Sequence, residues 1–571
     1  MDIKATLNKS RESVRLISGW GARRKPQTWR GHGESEAGNS GSMLPACVAT
    51  RACKPGRTLQ GVQRRGPPEI GMRDARGLVQ RSLKYFSLAC IGILAGCAAG
   101  PDYRPPQQVD EPPAWPALSD AAHAGSTITQ QPFDGKRWWT VFHDPLLNRL
   151  VAEAVRQNLD LRIAASRIRQ ARAQRAATAA GLLPSASLSA AGLRNRMSEN
   201  GLASSLGGGS SGAGSTGGAG EQGGGAAPSN TFQLGFDALW ELDLWGKTRR
   251  AVEAADADTE AAVENRRAAL VSLTAEIARA YFALLGAQSQ LRITRNDLTT
   301  QRRLLELTRS RAEAGFTSQS DVLQAQTQVA AGEAALPQLE QAVEQGYNRL
   351  ALLLALPPGA LKKRLDRKTA LPSLPPAVPV GLPGDLLRRR PDIRRSEAQL
   401  HAATARVGVA VAQLFPSVRL GVASGLEAGR LADLADWASR FFLLGTAISI
   451  PVFEGGQIKA NIQISEAQTQ EALLRYRQTV LEAYHDADDA MIAYAKEQQR
   501  MAALTRKADY ARRSLELTTA QYRQGIAAFL NVLDAERNLH QTQLQLTQSA
   551  VDTTTDLVAL FKALGGDWSS G

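Results

Sequence analysis

Gly315-Phe316-Thr317-Ser318-Gln319-Ser320-Asp321-Val322-Leu323-Gln324-Ala325 returns, loosely, as Gly525-Ile526-Ala527-Ala528-Phe529-Leu530-Asn531-Val532-Leu533-Asp534-Ala535, an offset of 210 residues. Upstream of the first copy, apolar residues fall every seven positions at Val263, Leu270, Ile277, Leu284, Leu291, Leu298 and Leu305. Adding 210 gives Leu473, Val480, Ala487, Tyr494, Met501, Ala508 and Leu515. Downstream, Val322, Val329, Leu336, Val343 and Leu350 map onto Val532, Leu539, Leu546, Thr553 and Leu560. A seven-residue apolar repeat lays one stripe along a helix and drives coiled-coil packing against neighbours. The body is therefore one unit written twice, each copy carrying a long helical hairpin that turns at Gly315 or Gly525. Lys247 to Glu313 is 67 residues without Pro, enough for a helix of roughly 100 Å at 1.5 Å per residue.

Four other segments alternate instead: Pro184 to Arg196, Asn230 to Asp243, Pro416 to Gly425 and Arg440 to Phe453. Phe232, Leu234, Phe236 and Ala238 share one face against Gln233, Gly235 and Asp237, and Phe442, Leu444, Thr446, Ile448 and Ile450 repeat the period of two. Such lengths suit tilted membrane strands. Four strands cannot close a barrel, however, and lipid offers no hydrogen bonds to an open edge, so a membrane reading requires several chains to share one barrel. The first strand pair is spaced 22 residues wider than the second, and Gly207 to Gly225 is Gly at 11 of 19 positions, which reads as a flexible surface insertion. Its GxSxG match (Gly208, Ser210, Gly212) and GxGxxG match (Gly212, Gly214, Gly217) lack the strand-to-helix context those chemistries need.

The formal net charge is +14, but residues 1–96 hold 17 Lys/Arg against 6 Asp/Glu, and the remaining 475 residues carry only +3. A phosphate-binding footprint loses its main support, and no nucleic-acid partner is expected. Cysteines occur only at 47, 53, 90 and 97, so the body has neither a disulfide framework nor a Cys-based zinc site. Arg81 and Lys84 precede an uncharged run from Tyr85 to Gly96, too short to span a bilayer but suited to a signal-peptide core. It ends in Leu94-Ala95-Gly96-Cys97, which resembles a bacterial lipobox; the alternative is an ordinary signal peptide beside a chance Cys. About eighty residues precede this leader without apolar periodicity, so Met72 is read as the true start and residues 1–71 as an upstream extension on which no fold is forced.

Taken in order, these strings resemble the outer-membrane factor family, the TolC-like channels, and within it the lipoprotein branch serving resistance-nodulation-division (RND) multidrug efflux pumps. The resemblance covers about residues 97–565. It rests on the lipobox, Trp138-Trp139 with Phe142 and Asp144-Pro145, Asp243-Leu244-Trp245-Gly246-Lys247, Leu387-Arg388-Arg389-Arg390-Pro391-Asp392-Ile393-Arg394, Leu414-Phe415-Pro416-Ser417 and Val532-Leu533-Asp534-Ala535. It implies a mainly α chain with a membrane β part: a homotrimer whose four strands per chain form a 12-stranded outer-membrane β-barrel, continued by a long periplasmic α-helical barrel. On that reading residues 72–96 are the lipoprotein signal peptide and 97–145 a lipidated N-terminal and equatorial region. Residues 146–358 form the first repeat, with a Gly-rich insertion at 203–227, and 385–565 the second. The implied partners are a periplasmic membrane-fusion adaptor, an inner-membrane RND pump and outer-membrane lipid.

The resemblance also carries roles onto residues. Cys97 would bear diacylglycerol and an N-acyl chain, with no other cofactor, and Ala98 after it implies sorting to the outer membrane. Leu530, Asp534 and Arg537 would form the channel gate; their i, i+4 and i, i+3 spacing puts them on one helix face, where Asp534 and Arg537 also read as a plain surface pair. Tyr522 and Asp321 would form an inter-hairpin lock, although Tyr522 continues the apolar heptad seven beyond Leu515, and Ala527 stands where some members have a strengthening Arg. The turns at Gly315 and Gly525 would meet the adaptor, and ordinary turn chemistry wants Gly there as well. No catalytic constellation stands out. His485-Asp486 with Asp488-Asp489 reads as a charged helix face rather than a metal site. The expected function is passive, gated export of small molecules, with a type I protein-secretion duct as the alternative within the fold and a lipid-anchored periplasmic coiled-coil scaffold as the alternative outside it. Cys97→Ala is expected to leave an unacylated precursor and weaken outer-membrane delivery while sparing the fold; normal incorporation of labelled palmitate by that variant would remove the lipobox reading.

Overall fold

The computed structural model describes residues 98–106, 114–119, 126–132, 135–196, 228–366 and 371–566. The leader, Cys97 and the Gly-rich insertion 203–227 lie outside the described residues. Helices α1 (Pro145–Gln157), α2 (Leu159–Ala180), α3 (Lys247–Glu313), α4 (Gln319–Leu353), α5 (Pro391–Ala412), α6 (Gln457–Arg523) and α7 (Phe529–Ala563) dominate. Strands β1 (Thr127–Thr129) and β4 (Ala377–Pro379) form a small parallel pair, and β2 (Ser185–Asn195), β3 (Ser229–Leu242), β5 (Ser417–Ala428) and β6 (Arg440–Ser449) form an antiparallel sheet in the order β2-β3-β5-β6.

The duplication is kept to the residue. α3 and α6 are both 67 residues long, α4 and α7 both 35, and each pair is displaced by 210. All four alternating segments are strands. The last ends at Ser449 rather than running on to Phe453, because Pro451 has no N–H to give a ladder. One apolar window in α3 is long enough to cross a bilayer, but 61% of it is buried against other helices, so it serves as core rather than as a span.

The helices lie side by side in one layer. Beside the sheet the order is α2, α3, α5, α6; farther away it is α4, α3, α7, α6. α2 takes over α4's place along α3, as shown by Arg175–Asp256 from α2 and by Arg349–Glu276, Arg295–Glu340 and Arg302–Glu333 from α4. The handover is a hydrogen-bonded splice. Asn158 caps α2, its Oδ1 accepting from the Asp160 and Leu161 amides at 2.9 and 3.1 Å, while its Nδ2 donates to the last carbonyl of α4, Leu353, at 2.9 Å. In the second repeat Arg390 precedes α5, where Pro391 takes the first helical position; its guanidinium donates to the last carbonyl of α7, Ala563, at 3.1 Å and to the Ala483 carbonyl at 3.4 Å. Asp392 at 2.6 Å and Asp486 at 3.1 Å balance its charge.

Midway along the long helices an aromatic collar covers one side of the layer. Trp138 stacks on Phe561 with centroids 5.3 Å apart, and Phe142 meets Phe282 edge-on at 4.8 Å. Asp144 caps α1 and accepts a 2.6 Å hydrogen bond from the Tyr281 hydroxyl. Replacing Arg390 with Ala would leave two carboxylates and two carbonyls without their shared donor, and is expected to cost roughly 3–5 kcal/mol. A thermal-unfolding comparison with Arg537→Ala, an exposed site, checks this; equal losses in the two variants would contradict it.

Candidate channel and gate

Pairing register sorts the sheet into two unlike faces, because residues opposite one another across antiparallel strands project to the same side. One face carries Leu188, Phe232, Leu234, Phe236, Trp240, Val418, Leu420, Val422, Phe442, Leu444 and Ile448. The other is mixed: it carries Ser187, Ser189, Gln233, Asp237, Glu241, Arg419, Glu427 and Ser449 together with Leu239, Phe441 and Leu443. Polar contacts run along this second face: the Ser187 hydroxyl donates to Asp237 at 2.7 Å, and Glu241 takes Arg419 at 3.1 Å and Lys247 at 3.2 Å. With strands of 10 to 14 residues, the sheet has the length and the two-sidedness of a wall between lipid and water. Among the described residues, its outer strands β2 and β6 have one paired edge each.

The first helix–sheet elbow explains two of the sequence strings. Asp243 accepts from the Thr248 and Arg249 amides at 3.0 and 2.8 Å, and Gly246 takes φ +78° to start α3. Trp245 stacks on Phe415 and donates to the Pro416 carbonyl at 2.8 Å. The N-terminal segment is strapped to this elbow. The Ala99 amide donates to the Trp245 carbonyl, Arg250 pairs with Asp102 at 2.5 Å, and Tyr103 stacks on His401 at 4.4 Å. Ala98 packs so closely on Gly246 that a Cβ there would meet its Cα at 2.9 Å. The neighbour of Cys97 is thus held where the helices meet the sheet.

At the far end, both hairpin turns use Gly at φ +79°, Gly315 and Gly525, as the sequence requires. Their caps differ. Ser318 and Asp321 form a reciprocal capping box, with Thr317 also donating to the Asp321 carboxylate; these donors hold that carboxyl below its usual range. The second turn has Ala528 at the cap and no side-chain hydrogen bond. Tyr522 is 3% exposed in a knot with Leu305, Val322, Ala325, Phe529, Val532 and Leu533, under the Arg311 guanidinium at 4.8 Å. Its hydroxyl has no hydrogen-bond partner among the described residues. The structure therefore brings Tyr522 and Asp321 to the same tip without a hydrogen bond between them: the carboxylate is committed to its own helix cap and the phenol to an apolar knot.

Leu530, Asp534 and Arg537 lie on one exposed stripe of α7 that runs on through Gln541 and Gln548, and Leu530 is 51% exposed. Arg537 donates to Gln328 of α4 at 2.9 Å, rather than forming the surface pair with Asp534. The sequence reading missed Arg390, which stood inside a quoted string without a role. It also missed Glu536, a carboxylate in the buried row Phe529, Leu533, Glu536, whose break in apolar spacing was its only signal. Among the described residues no group of three or more His, Cys, Asp or Glu could hold a metal ion.

The family model for outer membrane efflux proteins matches residues 150–356 and 382–566. The chain is 32% identical over 463 residues to the pyoverdine export outer membrane protein OpmQ of Pseudomonas putida, covering 80% of this chain and 94% of that protein. It is 32% identical over 483 residues to the probable efflux pump outer membrane protein TtgC of Pseudomonas putida, covering 83% and 94%. The solved structure of the outer-membrane channel OprN matches with TM-score 0.73 at 35% identity, covering 83% of this chain and all of that one. Tyr522→Phe is expected to leave stability within about 0.5 kcal/mol of wild type, whereas Asp321→Ala should cost about 1 kcal/mol through the lost cap; urea unfolding separates them, and a large loss in Tyr522→Phe would restore a lock through the hydroxyl.

Proposed function

Since the chain belongs to the outer membrane efflux protein family, we propose that three copies close into one export duct in which Leu530, Asp534 and Arg537 form the resting gate. The protein is the outer-membrane channel of an efflux system and not an enzyme. It works with a periplasmic adaptor and an inner-membrane pump, which supplies the energy.

The observation that carries the trimer is the four-stranded sheet with one apolar face and two free edges. Joining β6 of one copy to β2 of the next pairs every edge, and three copies give twelve strands, enough to enclose a lumen. The apolar face then meets lipid and the Ser187, Asp237, Glu241 face lines the pore. The same closure sets α6 beside the α2 and α4 edge of the neighbour and covers Ile464, Leu474, Leu481 and Leu517, each about half exposed or more in the single chain.

At the tip, three Leu530 side chains make an apolar ring and three Asp534 a carboxylate ring, with Arg537 in reach to offset it. Tyr522 and Asp321 fasten this end by separate means, one through packing and the other through capping. The turns at Gly315 and Gly525, flanked by the exposed Phe316 and Ile526, receive the adaptor, of the membrane-fusion type that serves RND pumps. Cys97, next to the strapped Ala98, carries the acyl chains that enter the inner leaflet; each buried CH₂ contributes about 0.8 kcal/mol to anchoring. The relatives named for pyoverdine export and for an efflux pump support small molecules as cargo.

Single-channel conductance in planar bilayers tests the assignment. Wild type should conduct little, and Leu530→Ala, Asp534→Ala and Arg537→Ala should each conduct more. Equal conductance in all four would move the gate elsewhere, and none in any would overturn the duct.

A further inference from the structure

Titratable side chains that the export reading leaves unused meet between α3 and α7, two to three turns into α7. Glu536 is 3% exposed, and its Oε1 has no hydrogen-bond partner among the described residues. Asp297 faces it from α3 and accepts a 2.7 Å hydrogen bond from Gln301. His540, one turn along α7 from Glu536, places Nδ1 3.2 Å from Asp297 Oδ2. The remaining charge near Glu536 is Arg537, which turns away to Gln328. From α4 come the uncharged Gln328 and Gly332, the latter against Gln301, and α6 packs on another side of α7, where Lys507 donates to Gln545.

A carboxyl sealed in such a seam is compatible with tight packing only while it keeps its proton, because a second ionised carboxylate beside Asp297 would be short of both water and a counter-charge. Burial first, and then the Asp297 charge, push Glu536 up to about 8. Burial also raises Asp297, with His540 opposing. An acid whose value folding raises supports the packed state at low pH and withdraws that support as pH climbs towards its folded value. The counterparts of Asp297, Glu536 and His540 at the offset of 210 are Lys507, Gln326 and Ala330, so the second copy of these positions does not repeat the triad.

We infer that the α3–α7 seam is a proton-operated latch, closed while Glu536 is protonated and parted when that proton passes to periplasmic water, carrying Asp534 and Arg537 of the same helix away from the duct axis. The inference rests on the duct reading, and its test has a readout that does not depend on conduction. The native cysteines all lie at or before Cys97, so in the protein with its leader removed and Cys97 acylated, spin labels at Ser310→Cys and Asn538→Cys report the separation of α3 and α7. Between about pH 6 and about pH 9 the separation should lengthen, with a midpoint near the Glu536 value of about 8. Glu536→Gln should abolish the change, and Asp297→Asn should move the midpoint to lower pH. Wild-type conductance should rise several-fold across the same range. A separation that does not respond to pH, a response that persists in Glu536→Gln, or a midpoint unmoved in Asp297→Asn would overturn the latch. A separation that responds as expected, with no conductance at any pH even in Leu530→Ala, would support the latch and overturn the duct.

Discussion

Backbone hydrogen bonds at the edges of a four-stranded sheet govern this molecule. The sheet offers lipid an apolar face, yet β2 and β6 each leave a row of N–H and C=O groups that hydrocarbon cannot satisfy. Each such group costs several kcal/mol when unpaired in a bilayer, so the sheet is stable in a membrane only when further strands complete it. The order of the helices follows the same logic. α3 and α6 leave the sheet directly from β3 and β6, while α2 and α5 run back into β2 and β5, so whatever closes the sheet also closes the layer of helices beneath it.

Within that frame the two repeats share a backbone but not a chemistry. Asp243 and Trp245 stabilise the first elbow, where the second has Phe453 and Gly455. Ser318 and Asp321 cap the first hairpin turn, where the second has Ala528 and Asn531. A neutral carboxamide, Asn158, splices α4 to α2, where a charged guanidinium, Arg390, splices α7 to α5. Duplication set the geometry, and each junction then acquired its own side chains. Two seams that match in shape therefore differ in how they answer to charge.

Periodicity made the strands, the 67-residue helix and the paired turns legible, because each is a local pattern with a fixed period and the second copy checks the first. Strand arithmetic argued that a membrane reading needs more than one chain, while the number three came only with the family resemblance. The splices were not legible: Asn158 and Leu353 stand 195 residues apart, and nothing local says that a carboxamide will reach a distant helix end. The relation of Tyr522 to Asp321 was obscured in the opposite way, since a tyrosine on an apolar row and an aspartate three after a serine each have a strong local use that competes with a bond between them. Glu536 needed the partner helix, because only Asp297 across the seam makes its burial consequential.

The splices also bear on how the wall deforms. α3 and α6 pass unbroken for 67 residues, while the strands of the layer between and beside them are each jointed once, at Asn158 and at Arg390, level with the aromatic collar. A wall of alternating solid and jointed staves is stiff along its length but can shear at one height, with the joints acting as expansion joints and the solid staves carrying the load. A twist imposed below the collar would be absorbed at that height, leaving the sheet in the membrane undisturbed.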